Sequence, residues 1–246
     1  MHLRGIAIPD YRERVIEKNS IDHNSFRLDI IRTLANFYYS LKPQIICLQE
    51  VPSLKDARKI ANLVKMDVYY EPGKSNPKYG GAILIDSAYF SKRLSLANLS
   101  RGTFERGCLM VQVLNRNVYF TVCNLHLPSN IKRTPEEGSY VRVREIASAI
   151  SFLPEIIVGD LNERPDGPVY QKLEKAGYID TGGIQKRGEI PTCNNARIDY
   201  IWVHKKTNLK LMEYSVLDQP KLSVFLARRI QAISDHFPIM ATFIYN

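Results

Sequence analysis

The chain has no long apolar run. None of its 246 residues falls in a stretch approaching the roughly 20 apolar positions that a membrane-spanning helix needs, so a helical span is excluded. Its four cysteines, Cys47, Cys108, Cys123 and Cys193, lack zinc-knuckle spacing, and Cys47 and Cys123 sit inside apolar runs. That excludes a disulfide scaffold and predicts reduced core thiols. The opening Met1-His2-Leu3-Arg4-Gly5-Ile6 lacks a secretory pattern, so the expected location is intracellular, cytoplasmic or nuclear. Internal repeats, low-complexity tracts and Pro/Ser linkers are also missing. One domain over residues 1–246, read as a monomer, is the simplest account.

What is present suits a globular fold. Apolar residues make up 45% and charged residues 24%, which supports a full core at this length. The net charge of +9, with a pI near 9.3, favours a polyanionic partner, either nucleic acid or an acidic lipid surface. The basic residues are scattered rather than run together, so a merely basic, soluble protein is the bland alternative.

The stretch Ile156-Ile157-Val158-Gly159-Asp160-Leu161-Asn162-Glu163-Arg164-Pro165 reads as a buried strand that ends abruptly in polar groups. Asp160 and Asn162 share a face if the strand persists that far. A carboxylate beside an amide can take a proton from water and donate to an anion. An Asx-turn closing the strand is the plain alternative.

Periodicity predicts a first strand over 2–8, loop from Asp10 to Asn24, and a helix capped by Ser25 running to Leu41. A strand over 44–49 and a helix from Ser53 to Val64 follow. Strands are expected at 68–71, 82–86, 108–114 and 118–125, the last two forming a hairpin about Asn115-Arg116-Asn117. Pro128 to Gly138 reads as loop, 139–152 as helix, 169–176 as helix and Gly182 to Ala196 as loop. Strands at 198–203, 209–217 and 237–244 complete the pattern. Many strands with few helices between them predict a two-sheet α/β sandwich.

Five strand ends carry polar groups: Gln49-Glu50, Asn124-Leu125-His126, Asp160-Leu161-Asn162, Arg197-Ile198-Asp199-Tyr200 and Ser234-Asp235-His236. Singly, each has a dull reading as a solvated end or a turn. In this order, with Tyr79-Gly80-Gly81-Ala82-Ile83-Leu84 and the run from Val118 to Leu127, they resemble the endonuclease/exonuclease/phosphatase superfamily, from about Ile45 to Ile239. The resemblance implies a four-layer αββα sandwich with the motifs at one end of the paired sheets, and hydrolysis of a phosphate ester with Mg²⁺ or Mn²⁺. It implies that Glu50 holds the metal, with Asp235 as a second ligand or outer partner. Asp160 would orient or deprotonate the attacking water, Asn162 would donate to the phosphate, and His236, oriented by Asp199, would contact a non-bridging oxygen, with the base being either Asp160 or His236. His126 would stand near the leaving oxygen. Asn124, Arg197 and Tyr200 are carried over as substrate-binding.

Two departures stand out. The family's first strand ends in an Asn, and here Asp10, Asn19 or Asn24 substitutes for it or the site lacks that ligand. The carboxylate that orients the histidine of Asn-x-His is missing near Tyr79, and Glu71 and Asp86 do not match its position. The expected substrate is DNA or RNA, held through loop residues such as Lys74, Lys78, Lys132 and Arg133. A phosphoinositide or other phosphomonoester phosphatase is the alternative, and an inactive nucleic-acid-binding module comes after it.

Overall fold

The computed structural model describes residues 2–3, 5–7, 23–96, 103–115, 117–185, 190–217, 223–226 and 229–245. The chain begins with β1 (His2–Leu3) and β2 (Gly5–Ala7), then α1 (His23–Leu41), β3 (Ile45–Val51), α2 (Leu54–Val64), β4 (Met66–Glu71), β5 (Gly80–Asp86) and β6 (Phe90–Arg93). It continues through β7 (Gly107–Asn115), β8 (Val118–His126), α3 (Pro135–Ile150), β9 (Ile156–Asp160), α4 (Pro168–Lys175), β10 (Tyr178–Asp180) and α5 (Thr181–Ile184). The last elements are β11 (Asp199–His204), β12 (Leu209–Val216), the hairpin β13 (Ser223–Leu226) and β14 (Arg229–Ala232), and β15 (Ile239–Tyr245).

The central strands are apolar on both faces, and that decides the layering. In β3, Ile45 and Cys47 face one core while Ile46 and Leu48 face another. In β8 and β9, Val122, Ile156 and Val158 turn to the shared core, and Cys123, Leu125 and Ile157 turn outward. One sheet has the order β10-β11-β9-β8-β7-β6. Facing it, β2-β3-β5-β4 and β1-β15-β12 are joined through the N-terminal segment, since β1 pairs β15 and β2 pairs β3. The core between the sheets is built from Ile45, Ile83, Val111, Val122, Val158, Ile201 and Ile239 among others. Helices α1 and α2 cover the outer face of the β3–β5 sheet, and α3 and α4 cover the outer face of the six-stranded sheet. Each fully buried aliphatic side chain contributes about 2 kcal/mol. The result is the four-layer αββα sandwich.

Several boundaries differ from expectation, each for a local reason. Helix α1 starts at His23, so Ser25 lies within its first turn rather than capping it. Ser53 does cap α2, its side chain accepting from the N–H of Asp56. Helix α3 begins at Pro135, not Ser139. Thr134 and Glu137 form a reciprocal capping box with Pro at the first turn, a start signal that overrides Gly138. Strands β6 and β10 and the β13–β14 hairpin are additional. Strand β6 is a short, largely exposed edge with no apolar alternation to betray it. The expected 182–196 loop opens with α5. Asp10, Asn19 and most of the expected 10–24 loop lie outside the described residues; Asn24 stands at the start of α1.

Candidate active site

Three neighbouring strand ends put His126, Asp160 and Asp199 in one row. Strands β8 and β9 run parallel with His126 opposite Asp160, and β9 and β11 run antiparallel with Asp160 opposite Asp199. Residues opposed in a ladder are about 5 Å apart at Cα and share a face. Gly159 makes this possible. Its φ is +142°, and a Cβ there would lie 1.9 Å from the Leu125 carbonyl oxygen, so no other residue could bring β9 this close to β8.

The strand stops at Asp160. Asn162 has φ +47°, its backbone N–H donates to Asp160 Oδ1 at 2.8 Å, and its Nδ2 donates to Asp160 Oδ2 at 3.1 Å and to the Leu127 carbonyl at 2.9 Å. The Asx-turn and the carboxylate–amide pair are therefore one feature. The turn orients Asp160, and the Asn162 amide points inward.

From the facing sheet comes Glu50. The β3–β5 register gains one residue between Leu48 and Val51, and Glu50 has φ +55°. This bulge sends Gln49 inward and Glu50 toward the site. Glu50 Oε1 is 3.9 Å from His126 Nε2, which is 3.3 Å from Asp160 Oδ2.

Arg106 completes this side. Its Nη1 donates to Glu50 Oε1 at 3.1 Å and lies 2.5 Å from His126 Nε2, while Nη2 donates to Ser129 Oγ at 3.2 Å. The sequence reading did not single it out. A signal existed: counting back from the Asn115–Val118 pair that closes the hairpin puts Gly107 opposite His126, which leaves Arg106 beside the histidine.

Across the row, His236 Nδ1 lies 2.9 Å from Asp199 Oδ2. Its backbone is pinned by Ser234 Oγ, which accepts the His236 N–H at 3.0 Å. The Phe237 N–H donates to the Thr192 carbonyl at 2.6 Å. Thr192 Oγ1 in turn accepts the N–H groups of Ile198 and Asp199.

Charge is unevenly shared here. Against burial, which favours the neutral ring, the Asp199 carboxylate pushes His236 well above the ordinary histidine value. Burial also works against ionisation of Asp160, yet its hydrogen bond to His126 and the nearby His126 and His236 hold it below the usual carboxylate range. Glu50 moves the other way. Its burial outweighs the attraction of His126 and Arg106 and raises it. His126 Nε2 faces a donor, Arg106, and two acceptors, while Nδ1 is buried with no hydrogen-bond partner among the described residues. His126 borders a small cavity shared with Gln49, Glu71, Tyr79 and Asn124.

Three of the expected residues stand apart from this cluster, and a fourth borders it. Asn124 ties the two sheets together. It accepts from Gln49 Nε2 at 2.6 Å and donates to the Leu48 and Ala82 carbonyls at 2.9 and 3.0 Å, which leaves no amide hydrogen for a substrate. Arg197 is a correction: both of its terminal nitrogens go to buried Asp180, and its guanidinium stacks on Tyr200 at 4.5 Å. Tyr200 packs with Tyr170 and Trp202, and its hydroxyl donates to the Glu163 and Arg197 carbonyls. Alternation in β11 turns Tyr200, one residue from Asp199, to the opposite face, whereas Arg197 precedes the strand and is held by its ion pair with Asp180. Asp235 is exposed and gathers with Cys193 and His236. Of the loop cations, Lys74 pairs with Glu71 and Arg133 with Glu105.

A sequence profile of the Endonuclease/Exonuclease/phosphatase family matches residues 19–236. The chain belongs to that family. The family's enzymes are hydrolases of phosphate esters and generally depend on a divalent metal. Among solved structures, the human Nocturnin catalytic domain with bound sulfate superposes with a TM-score of 0.74 at 17% identity, covering 100% of this chain and 93% of that one. The Bacteroides thetaiotaomicron mannosyl-6-phosphatase gives 0.71 at 13%, with both chains covered in full. D. rerio TDP2 with a single-stranded DNA product gives 0.64 at 15%, covering 99% and 98%. At these identities the likeness is one of fold. No curated protein matches the chain.

The donor set fits the family's metal. Glu50 is a largely buried carboxylate that its neighbours do not fully compensate, with Asp160 raising it further. Asp160 and Asp199 offer carboxylate oxygens within 4.8 Å of each other. Hard oxygens at partial burial are what a hard divalent cation accepts. No helix among the described residues is long and apolar enough to cross a membrane.

Proposed function

We propose that the protein is a Mg²⁺-dependent phosphodiesterase acting on nucleic acid, as a nuclease or an end-processing enzyme. Glu50 would hold the ion, and the bound ion would supply positive charge to the reacting phosphate. The observation that carries this reading is the convergence of two cationic groups, Arg106 and His236, on the carboxylates Glu50, Asp160 and Asp199 at one end of the paired sheets. Opposed charges gathered at the strand ends suit an anionic ester attacked by water.

The roles follow from geometry. Asp160, held ionised and oriented by the Asn162 turn, accepts a proton from the attacking water. Asn162 acts by fixing that carboxylate, since its amide donates to Asp160 and Leu127. Cationic His236 donates to a non-bridging oxygen, with Asp199 holding the ring and its proton. Arg106 adds a second donor to the phosphate. His126, between Arg106 and Asp160, stands where it can hydrogen-bond the leaving oxygen.

The basic charge of the chain supports a polyanion over a small phosphomonoester, and the superposition on a protein that holds DNA product is consistent with it. The test is a hydrolysis panel in Mg²⁺ and in excess chelator, with plasmid DNA, single-stranded DNA, RNA, a 5′-tyrosyl oligonucleotide and soluble inositol phosphates. Chelator-sensitive cleavage of an oligonucleotide, weakening steeply with salt, is the expected result. Turnover confined to inositol or sugar phosphates would transfer the proposal to a phosphatase. Undiminished activity in chelator would overturn the metal assignment.

A further inference from the structure

We propose that Cys193, His236 and Asp235 form a second metal site of softer character, which takes Zn²⁺ and silences the active site by occupying His236. The three residues offer a sulfur, a ring nitrogen and a carboxylate oxygen within 4.8 Å of one another. The hard-oxygen set around Glu50 contains no thiol, so the two sites differ in the ions they prefer.

The backbone builds this cluster. Cys193 and His236 oppose each other in an isolated antiparallel bridge, which puts their side chains on one face. The neighbouring Phe237–Thr192 hydrogen bond of 2.6 Å holds that pairing. The surroundings are also those of a ligand set. Asp199 engages His236 Nδ1, so Nε2 is the nitrogen open to an ion, and a carboxylate on the far ring nitrogen is the usual support of a zinc-bound histidine. Asn194 Nδ2 donates to Cys193 Sγ at 3.5 Å, which fixes the sulfur beside the ring. Asp235 is exposed and keeps the remaining coordination position open to water. On binding, the Cys193 thiol and His236 each release a proton to solvent as the metal bonds form, and no redox change is involved. His236 is then unable to donate to a phosphate. That consequence rests on the function proposed above, whereas the binding itself does not.

Cobalt tests the site without reference to activity. The metal-free full chain, in excess Mg²⁺, is titrated with Co²⁺ and followed for the thiolate-to-cobalt charge-transfer band in the near ultraviolet. Cys193 is buried like the other three cysteines but lies beside exposed Asp235, and the Cys193→Ser variant assigns the band. The wild-type protein is expected to show it and to lose it when Zn²⁺ is added, and Cys193→Ser should lack it. Asp235→Asn, a change at an exposed position, should keep the band and weaken Co²⁺ binding about tenfold, the scale of losing one supporting ligand. No band in the wild type, or an equal band in Cys193→Ser, overturns the proposal. Unchanged affinity in Asp235→Asn removes the third ligand and overturns the site as stated. If hydrolysis is found, Zn²⁺ should inhibit it, and Cys193→Ser should need at least about tenfold more Zn²⁺ for the same inhibition. Equal inhibition of both proteins overturns the silencing role. Failure of every hydrolysis assay would count against the proposed function and leave the cobalt result standing.

Discussion

The two halves of the site are held by different means. His126, Asp160 and Asp199 stand at adjacent strand ends, and the ladder of β8, β9 and β11 sets their spacing. Arg106 and Ser129 ride loops, and those loops are fastened by buried charges from α3. Glu145 accepts the Glu105 N–H at 3.0 Å. Arg142 donates to the Pro128 carbonyl at 3.2 Å, to Asn130 Oδ1 at 2.6 Å and to Glu163 at 2.8 Å. The spacing of the strand half is kept by backbone hydrogen bonds repeated along each strand. The loop half depends on a few ionised groups removed from water, so its integrity varies with pH and with single substitutions.

The largest expected effect breaks the chemistry of the strand half without touching its frame. His236→Ala should lower kcat by about 10³-fold, within the range for losing a positioned proton donor. Asp199→Asn should cost less and move the basic limb of the pH–rate profile downward, because the carboxylate that raises His236 is gone. The double variant should be little worse than His236→Ala, since residues acting as a unit are not additive. Independent, multiplying losses in steady-state kinetics would show that the pair does not act together.

Breaking the loop half should register first as stability. Arg142→Met leaves Glu163 beside a vacated pairing site and unties two loops, and should cost about 3–4 kcal/mol in urea unfolding. A cost near zero would mean that the loops hold themselves.

Glu145 sharpens the contrast by titrating. Burial raises its pKa from 4.5 to about 7. Between those values the folded protein binds more protons than the unfolded chain, so stability is greatest at the acid end and falls as pH rises toward 7. The loss is at most about 3 kcal/mol. Glu145→Gln should flatten that slope and be more stable than the wild type above pH 7. Parallel pH–stability curves would show that Glu145 is not the group responsible.

The smallest effect is at the loop tip. Arg106→Lys keeps the charge but not the fork that reaches Glu50 and Ser129 together. KM should rise by roughly tenfold with kcat nearly unchanged, about 1.4 kcal/mol of binding. A fall in kcat alone would place Arg106 in the transition state instead.

Sequence patterns that repeat locally were legible. The two-sided apolar strands, the Ser53 cap and the motif order from Glu50 to His236 led to the sandwich and to the end of it that carries the polar groups. Motif membership did not tell which residues of each motif face the site. Tyr200 follows Asp199, yet strand alternation turns it toward Trp202, and Arg197, just before the strand, is drawn to Asp180. Asn124 shares a motif with His126 but is consumed by two backbone carbonyls of the other sheet. Thr134 to Glu137 was a readable start signal for α3 that Gly138 obscured.

The amino-acid order by itself determined where the strands end and which polar groups stand at those ends, because alternation, glycine and proline act over a few residues. Only the tertiary structure decided that Arg106 lies against Glu50 and His126, that Asp199 meets His236, and that Cys193 joins Asp235 beside it. Those meetings depend on sheet register and on loops tied to α3, which are set by contacts between segments tens of residues apart, where no local pattern reaches.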